Sequence, residues 1–209
     1  QKVATIYDAI DVYARSSNEV LKTVLEANGV EILTEETFKT GDTDFSQQLR
    51  NIMAVAPDAL FISALSQEIA KIVAQTSEVG LPDTIRVIAP DLTMDEVRKA
   101  GDGAEGTIGF IGWSSISDAP GNQTFIANYR AKYGIEPEPW AAQSYARLHV
   151  LANAIKTAQS ADSTAIRDAL AQTKDLPTIL GDFSFNPDGD ALYDQIVLVV
   201  KDGEFQVFE

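Results

Sequence analysis

Short, unbroken apolar runs alternate along the first half of the chain with stretches whose apolar residues recur at helical spacing. Val3-Ala4-Thr5-Ile6-Tyr7 is the first run and reads as a buried strand. Ser16 and Glu19 have the spacing of a capping box, which predicts a helix from about Ser16. Its apolar stripe is Val20, Leu21, Val24 and Leu25, and Asn28-Gly29 stops it. Residues 30–33 form the next predicted strand. Phe45, Leu49, Ile52 and Met53 mark a second helix after Gly41-Asp42-Thr43. Pro57-Asp58 turns the chain into a third strand at 59–62. Ile69, Ile72 and Val73 mark a helix closed by Gly80, and 85–88 is a fourth strand. Thr93 and Glu96 form a second capping box, for a short helix, and 107–111 is a fifth strand. This alternation implies a parallel sheet with right-handed crossovers. Cover on both faces explains the unbroken runs. The predicted fold class is therefore α/β, an open doubly wound sheet.

The second half changes character. Pro120 opens a predicted helix carrying Phe125, Ile126 and Tyr129, and Glu136-Pro137-Glu138-Pro139 is a stiff link. Ala141, Tyr145, Leu148, Ala152 and Ile155 mark one face of a long helix, and Asp162 is placed to cap another. The end reads as strands at 181–185, 193–200 and 205–208, with a turn at Asp202-Gly203. The stretch 113–120 is a candidate crossing between two lobes.

Composition narrows the function classes. The chain has 209 residues, a net charge of −15, no cysteine and one histidine. The apolar share of 45% is that of a chain with a core. No disulfide, thiol nucleophile or thiolate metal site is available, and His149 alone makes no multi-histidine zinc site. A pI near 4.3 opposes nucleic acid and anionic membrane surfaces. No apolar run approaches the ~18 residues of a spanning helix. The chain opens on Gln1 with no signal peptide, so the expectation is a processed form or a piece whose targeting segment is not included.

Three motif matches and one lone histidine carry little. Gly101, Gly103 and Gly106 spell G-x-G-x-x-G, but they follow a predicted helix and precede a strand, the reverse of a dinucleotide fingerprint. They read as a helix-to-strand turn. Asn186-Pro187-Asp188-Gly189-Asp190 lacks the ligand spacing of a calcium loop and reads as a tight turn. Asn122-Gln123-Thr124 is a formal glycosylation sequon, and His149 reads as structural. No Walker loop, G-x-S-x-G elbow or nucleophile with a paired base is present, which disfavours catalysis, and no cofactor or metal is expected.

Topology gives the better lead. Ligands of open α/β sheets bind beyond the carboxyl ends of the strands. Three such ends are readable: 8–13 with Tyr13, Ser63-Ala64-Leu65-Ser66, and Pro90-Asp91-Leu92. An aromatic ring, small groups and a carboxylate suit a small amphipathic ligand with a positive end. Equally open on the residues alone is a structural role, with Tyr13 covering the sheet edge and Asp91 helping to start a helix.

Several segments resemble the branched-chain amino-acid-binding proteins of bacterial ABC importers, with the type I periplasmic-binding fold. They are Lys2-Val3-Ala4-Thr5-Ile6-Tyr7-Asp8 with Tyr13 following, Gly41-Asp42-Thr43-Asp44-Phe45-Ser46, and Pro57-Asp58-Ala59-Leu60-Phe61. Glu78-Val79-Gly80-Leu81, Ala100-Gly101-Asp102-Gly103-Ala104-Glu105-Gly106, residues 129–133, Tyr145-Ala146 and Leu180-Gly181 continue the pattern. The resemblance implies two lobes that close on a ligand and present it to a membrane permease. It assigns 1–112 to the second lobe, 113–119 to a hinge crossing, 120–185 to the returning part of the first lobe and 186–209 to strands near the hinge. It also implies that an opening segment of the first lobe is missing. Tyr13 matches the family's pocket tyrosine, and Asp91 sits where an acid binds the ligand ammonium. Leu65, Leu92 and Trp140 fall at positions that line the pocket. The implied function is that of an exported, periplasmic or extracellular carrier for an apolar or aliphatic amino acid or a related carboxylate. A receptor ectodomain of the same fold is the alternative, and a flavodoxin-like enzyme or electron carrier the weaker one. A lobe lacking its opening strands is expected to expose sheet edges and to dimerise.

Overall fold

The computed structural model describes residues 1–208; Glu209, the end of the predicted 186–209 segment, lies outside the described residues. The chain divides into two compact units. One comprises Gln1–Phe110 and the stretch beginning at Val197, and the other is Ile111–Ile196.

The first unit alternates strand and helix as the apolar pattern requires. Its elements are β1 (Lys2–Asp8), α1 (Val12–Ala27), β2 (Glu31–Phe38), α2 (Ser46–Val55), β3 (Ala59–Ser63) and α3 (Ser66–Glu78). Then follow β4 (Arg86–Ile88), α4 (Met94–Ala100), a 3-10 turn at Gly101–Ala104 and β5 (Ile108–Ile111). The late strands β9 (Ile196–Lys201) and β10 (Glu204–Val207) return to it and give a sheet of order β10-β9-β5-β4-β3-β1-β2. β1 to β5 pair in parallel, and the β9–β10 hairpin is antiparallel. Tyr7 pairs with Ser63, and Phe61 with Ile88, so the carboxyl ends of β1, β3 and β4 finish level. Ile6, Leu49, Ile52, Leu60, Ile62, Ile72 and Val73 are fully buried and form one core. Each such side chain contributes ~1.5–3 kcal/mol on burial. At the outer edge, β2 carries Glu31, Glu35 and Glu36.

The start of α1 differs from the sequence expectation. Ser16 lies inside the helix, which begins at Val12 with Asp11 as its N-cap. Asp8 accepts hydrogen bonds from the backbone of Ile10 and Asp11 and turns the chain directly after β1. Asp11 then caps Ala14 N at 2.8 Å, so the helix is nucleated one turn earlier. Val20 and Val24 of the expected stripe face outward, and Ala14 and Asn18 are buried instead. The capping box at Thr93 and Glu96 is present and opens α4. The glycine triplet is the turn from α4 into β5. Gly103 sits so close to α3 that an added Cβ would lie 2.5 Å from the Val73 carbonyl oxygen.

The second unit contains α5 (Asn122–Tyr133), α6 (Pro139–Ala158), α7 (Ser163–Ala171) and the antiparallel strands β6 (Leu176–Thr178), β7 (Gly181–Phe185) and β8 (Ala191–Leu192). Asp162 caps α7 as the sequence indicates. Asn186 accepts from Asp188 N and Asp190 N, which makes 186–190 the tight turn between β7 and β8. Trp113, Phe125, Ile126, Ala142, Ala146, Ile179 and Leu180 form the core. The face of α6 is reversed from expectation. Ala142, Ala146, Val150 and Ala154 are buried, while Tyr145, Leu148 and Ile155 are exposed. Ala142 and Ala146 pack in the cluster with Trp113, Phe125 and Ile126, where bulky aromatic partners leave room for small residues. Asn122 of the sequon is fully buried and accepts from the Trp113 indole at 2.7 Å. Its amide donates to the carbonyls of Ser114 and Ser117, so it is a structural hub. His149 is exposed.

Candidate functional site

The level carboxyl edge of β1, β3 and β4 brings three of the predicted residues to adjacent strand ends. Tyr13 stands in the first turn of α1, Leu65 is the N-cap of α3, and Asp91 follows β4. Tyr13 and Asp91, 78 residues apart in sequence, meet directly: the Tyr13 hydroxyl donates to Asp91 Oδ2 at 2.8 Å. The ring of Tyr13 is half exposed and Leu65 is exposed.

Asp91 holds an unusual backbone. Its φ is +55°, the left-handed region that costs a non-glycine residue energy. The bond from Asp91 N to the carbonyl of Phe110, at 3.1 Å, helps to hold that conformation. Leu92 does not join the exposed group. Its side chain is 1% exposed and lies in the core against Gly109, where it anchors the loop from below. The reason is the tight turn at Asp91, which points consecutive side chains in opposite directions. Trp140 lies in the first turn of α6, in the second unit, with its indole half exposed.

The electrostatics favour a cation over an anion. Burial and the hydrogen bond to Asp91, with the charges of Asp91 and Asp11, push the Tyr13 phenol well above its ordinary ionisation range. Tyr13 therefore stays a neutral donor at physiological pH, and Asp91 keeps its second carboxylate oxygen for another donor. Desolvation pushes Asp8 up, but bonds from Thr40, Ile10 and Asp11 outweigh it and hold its carboxyl below the usual range. A neutral hydroxyl beside a carboxylate, with apolar surface at hand, can receive an ammonium group. Among the described residues no group of three or more His, Asp or Glu could hold a metal ion, and no helix is long and apolar enough to cross a membrane.

The residue that sequence reasoning missed is Asp8. It follows a strand like many turn residues, and only the Asp8-x-x-Asp11 spacing before the helix hinted at successive backbone caps.

Comparison with known proteins places the chain. Residues 1–204 match the family model described as periplasmic binding protein. Leu/Ile/Val-binding protein homolog 1 of Brucella suis is 27% identical over 190 residues, which is 90% of this chain and 50% of that protein. Leu/Ile/Val-binding protein homolog 2 of Brucella abortus is 26% identical, over 100% of this chain and 56% of that protein. The chain thus spans about half the length of these relatives. Among solved structures, the leucine-binding protein LivK of Thermotoga maritima superposes with a TM-score of 0.88 at 26% identity, covering 100% of this chain and 59% of that one. LivJ of Streptococcus pneumoniae, solved with isoleucine, gives 0.84 at 29% identity, covering 99% and 58%. A match along almost all of the sequence, and the same strand-and-helix architecture, lead to one conclusion: the chain belongs to the periplasmic binding protein family and has its type I α/β fold.

Proposed function

We propose that this chain is part of the solute-binding component of an ABC importer, which captures an apolar α-amino acid outside the cytoplasmic membrane and delivers it to a permease. The observation that carries this reading is the Tyr13–Asp91 pair at the level edge of the parallel sheet. Asp91 receives the ligand ammonium on its free carboxylate oxygen, and Tyr13 orients that carboxylate. Leu65 offers apolar contact to the ligand stem, and Leu92 supports Asp91 from the core. The names of the Leu/Ile/Val-binding relatives and the isoleucine in LivJ support a branched aliphatic side chain as the ligand's other end. The part of the relatives that this chain does not span supplies the rest of the binding protein.

The test uses the full-length gene product that contains this chain, with L-leucine and L-isoleucine as titrants in calorimetry. Removing one partner of a buried ion pair costs ~3–5 kcal/mol. Asp91→Ala should therefore weaken binding at least ~100-fold, since ~1.4 kcal/mol is tenfold. Affinity equal to that of the wild type would overturn the role of Asp91.

A further inference from the structure

Asp8 has a place in this site that its burial conceals. It is 1% exposed and touches no surface a ligand could reach, yet all of its hydrogen bonds go to loops at the carboxyl edge. Oδ1 accepts from Ile10 N at 2.8 Å and from Asp11 N at 3.2 Å. Oδ2 accepts from the Thr40 hydroxyl, in the loop between β2 and α2. One carboxylate therefore joins the loop after β1 to the loop after β2.

Each loop is fixed in turn. On one side, Glu68 of α3, itself buried, accepts from Gly41 N at 3.1 Å. Gln75 accepts from Phe45 N at 2.7 Å and donates to the Thr43 carbonyl at 2.8 Å. The 39–45 loop is thus bolted to α3. On the other side, Asp11 caps Ala14 N, which fixes the first turn of α1 and with it Tyr13, whose hydroxyl reaches Asp91. A continuous series of hydrogen bonds and one helix turn runs from α3 through Thr40 and Asp8 to Tyr13 and Asp91.

We infer that Asp8 is the positioning residue of the binding edge: through Asp11 and the first turn of α1 it sets Tyr13 on Asp91. The inference deepens the binding function proposed above and rests on it for its affinity arm. Its geometric arm stands independently. Asparagine retains a carbonyl oxygen for Ile10 N and Asp11 N, and the Thr40 hydroxyl can reverse to accept from the amide, so Asp8→Asn keeps the clasp. Alanine removes it.

The experiment incorporates fluorotyrosine into the full-length protein and follows the fluorine resonance of Tyr13, assigned by its loss in Tyr13→Phe. L-leucine affinity is measured on the same samples. Asp8→Ala should move the Tyr13 resonance toward that of a free phenol. It should also weaken L-leucine binding at least ~10-fold, the size of one unmade buried hydrogen bond. Asp8→Asn should restore both. Should Asp8→Ala fail to fold, Asp11→Ala opens the next link, the cap on Ala14 N, and should shift the resonance where Asp11→Asn, which keeps the cap, does not. A folded Asp8→Ala, or Asp11→Ala where alanine at Asp8 is not tolerated, with the wild-type Tyr13 resonance overturns the inference and leaves Asp8 a purely structural group. A wild-type protein that does not bind L-leucine counts against the ligand reading, while the resonance shift still decides the role of Asp8.

Discussion

In the first unit Ile6, Leu49, Ile52, Leu60 and Ile62 are fully buried, whereas the longest helix of the second unit buries Ala142, Ala146, Val150 and Ala154 and leaves Tyr145, Leu148 and Ile155 outside. Both regions are rich in apolar residues at regular spacing. A parallel sheet covered by helices has an obvious interior, so there the large side chains go in. In α6 the alanines face the aromatic cluster of Trp113 and Phe125, which fills the space itself, and the large residues face away. An apolar stripe in a sequence therefore shows where apolar surface is. It does not show which surface a given stretch of chain covers.

The contrast is open to direct attack. The largest effect belongs to the first core: Leu60→Ala should cost ~2–5 kcal/mol, read from the urea midpoint, because it leaves a cavity among rigid neighbours. Asn122→Ala comes next, at ~1–3 kcal/mol, because it strands the Trp113 indole N–H and two carbonyls in the core of the second unit. Trp113 fluorescence reports that change. A smaller effect, lost in acid, belongs to Asp8. Its folded pKa lies below the unfolded value, so its contribution is complete above the unfolded pKa of about 3.9 and disappears as pH falls through the folded one. Wild type and Asp8→Asn should therefore differ in urea midpoint at pH 7, and the difference should shrink as pH falls below the unfolded carboxylate range. The smallest effect is expected for Leu148→Ala, within ~0.5 kcal/mol of wild type in this chain. A loss there as large as that at Leu60 would break the comparison.

Much of the first unit was legible because its signals are local. β1, β3 and the Thr93 capping box follow from residues within a few positions of each other. The start of α1 was not, because Ser16 and Glu19 fit a capping box while Asp8 and Asp11 completed the same task one turn earlier. Tyr13, Leu65 and Asp91 were reachable from topology alone, since adjacent parallel strands must finish at one edge. Their order along that edge follows from the sheet. The inward turn of Leu92 depends on the left-handed backbone at Asp91, which no side-chain pattern announces. Asp8 escaped for a related reason: one of its partners, Thr40, lies 32 residues away.

The glutamates on β2 also bear on how the protein behaves in bulk. An outer strand offers unpaired amides and carbonyls to any passing strand, and charge on that strand discourages the addition. Glu31, Glu35 and Glu36 provide such charge at the edge itself, and the chain's net charge of −15 adds repulsion at longer range. The two together discourage separate molecules from stacking edge to edge.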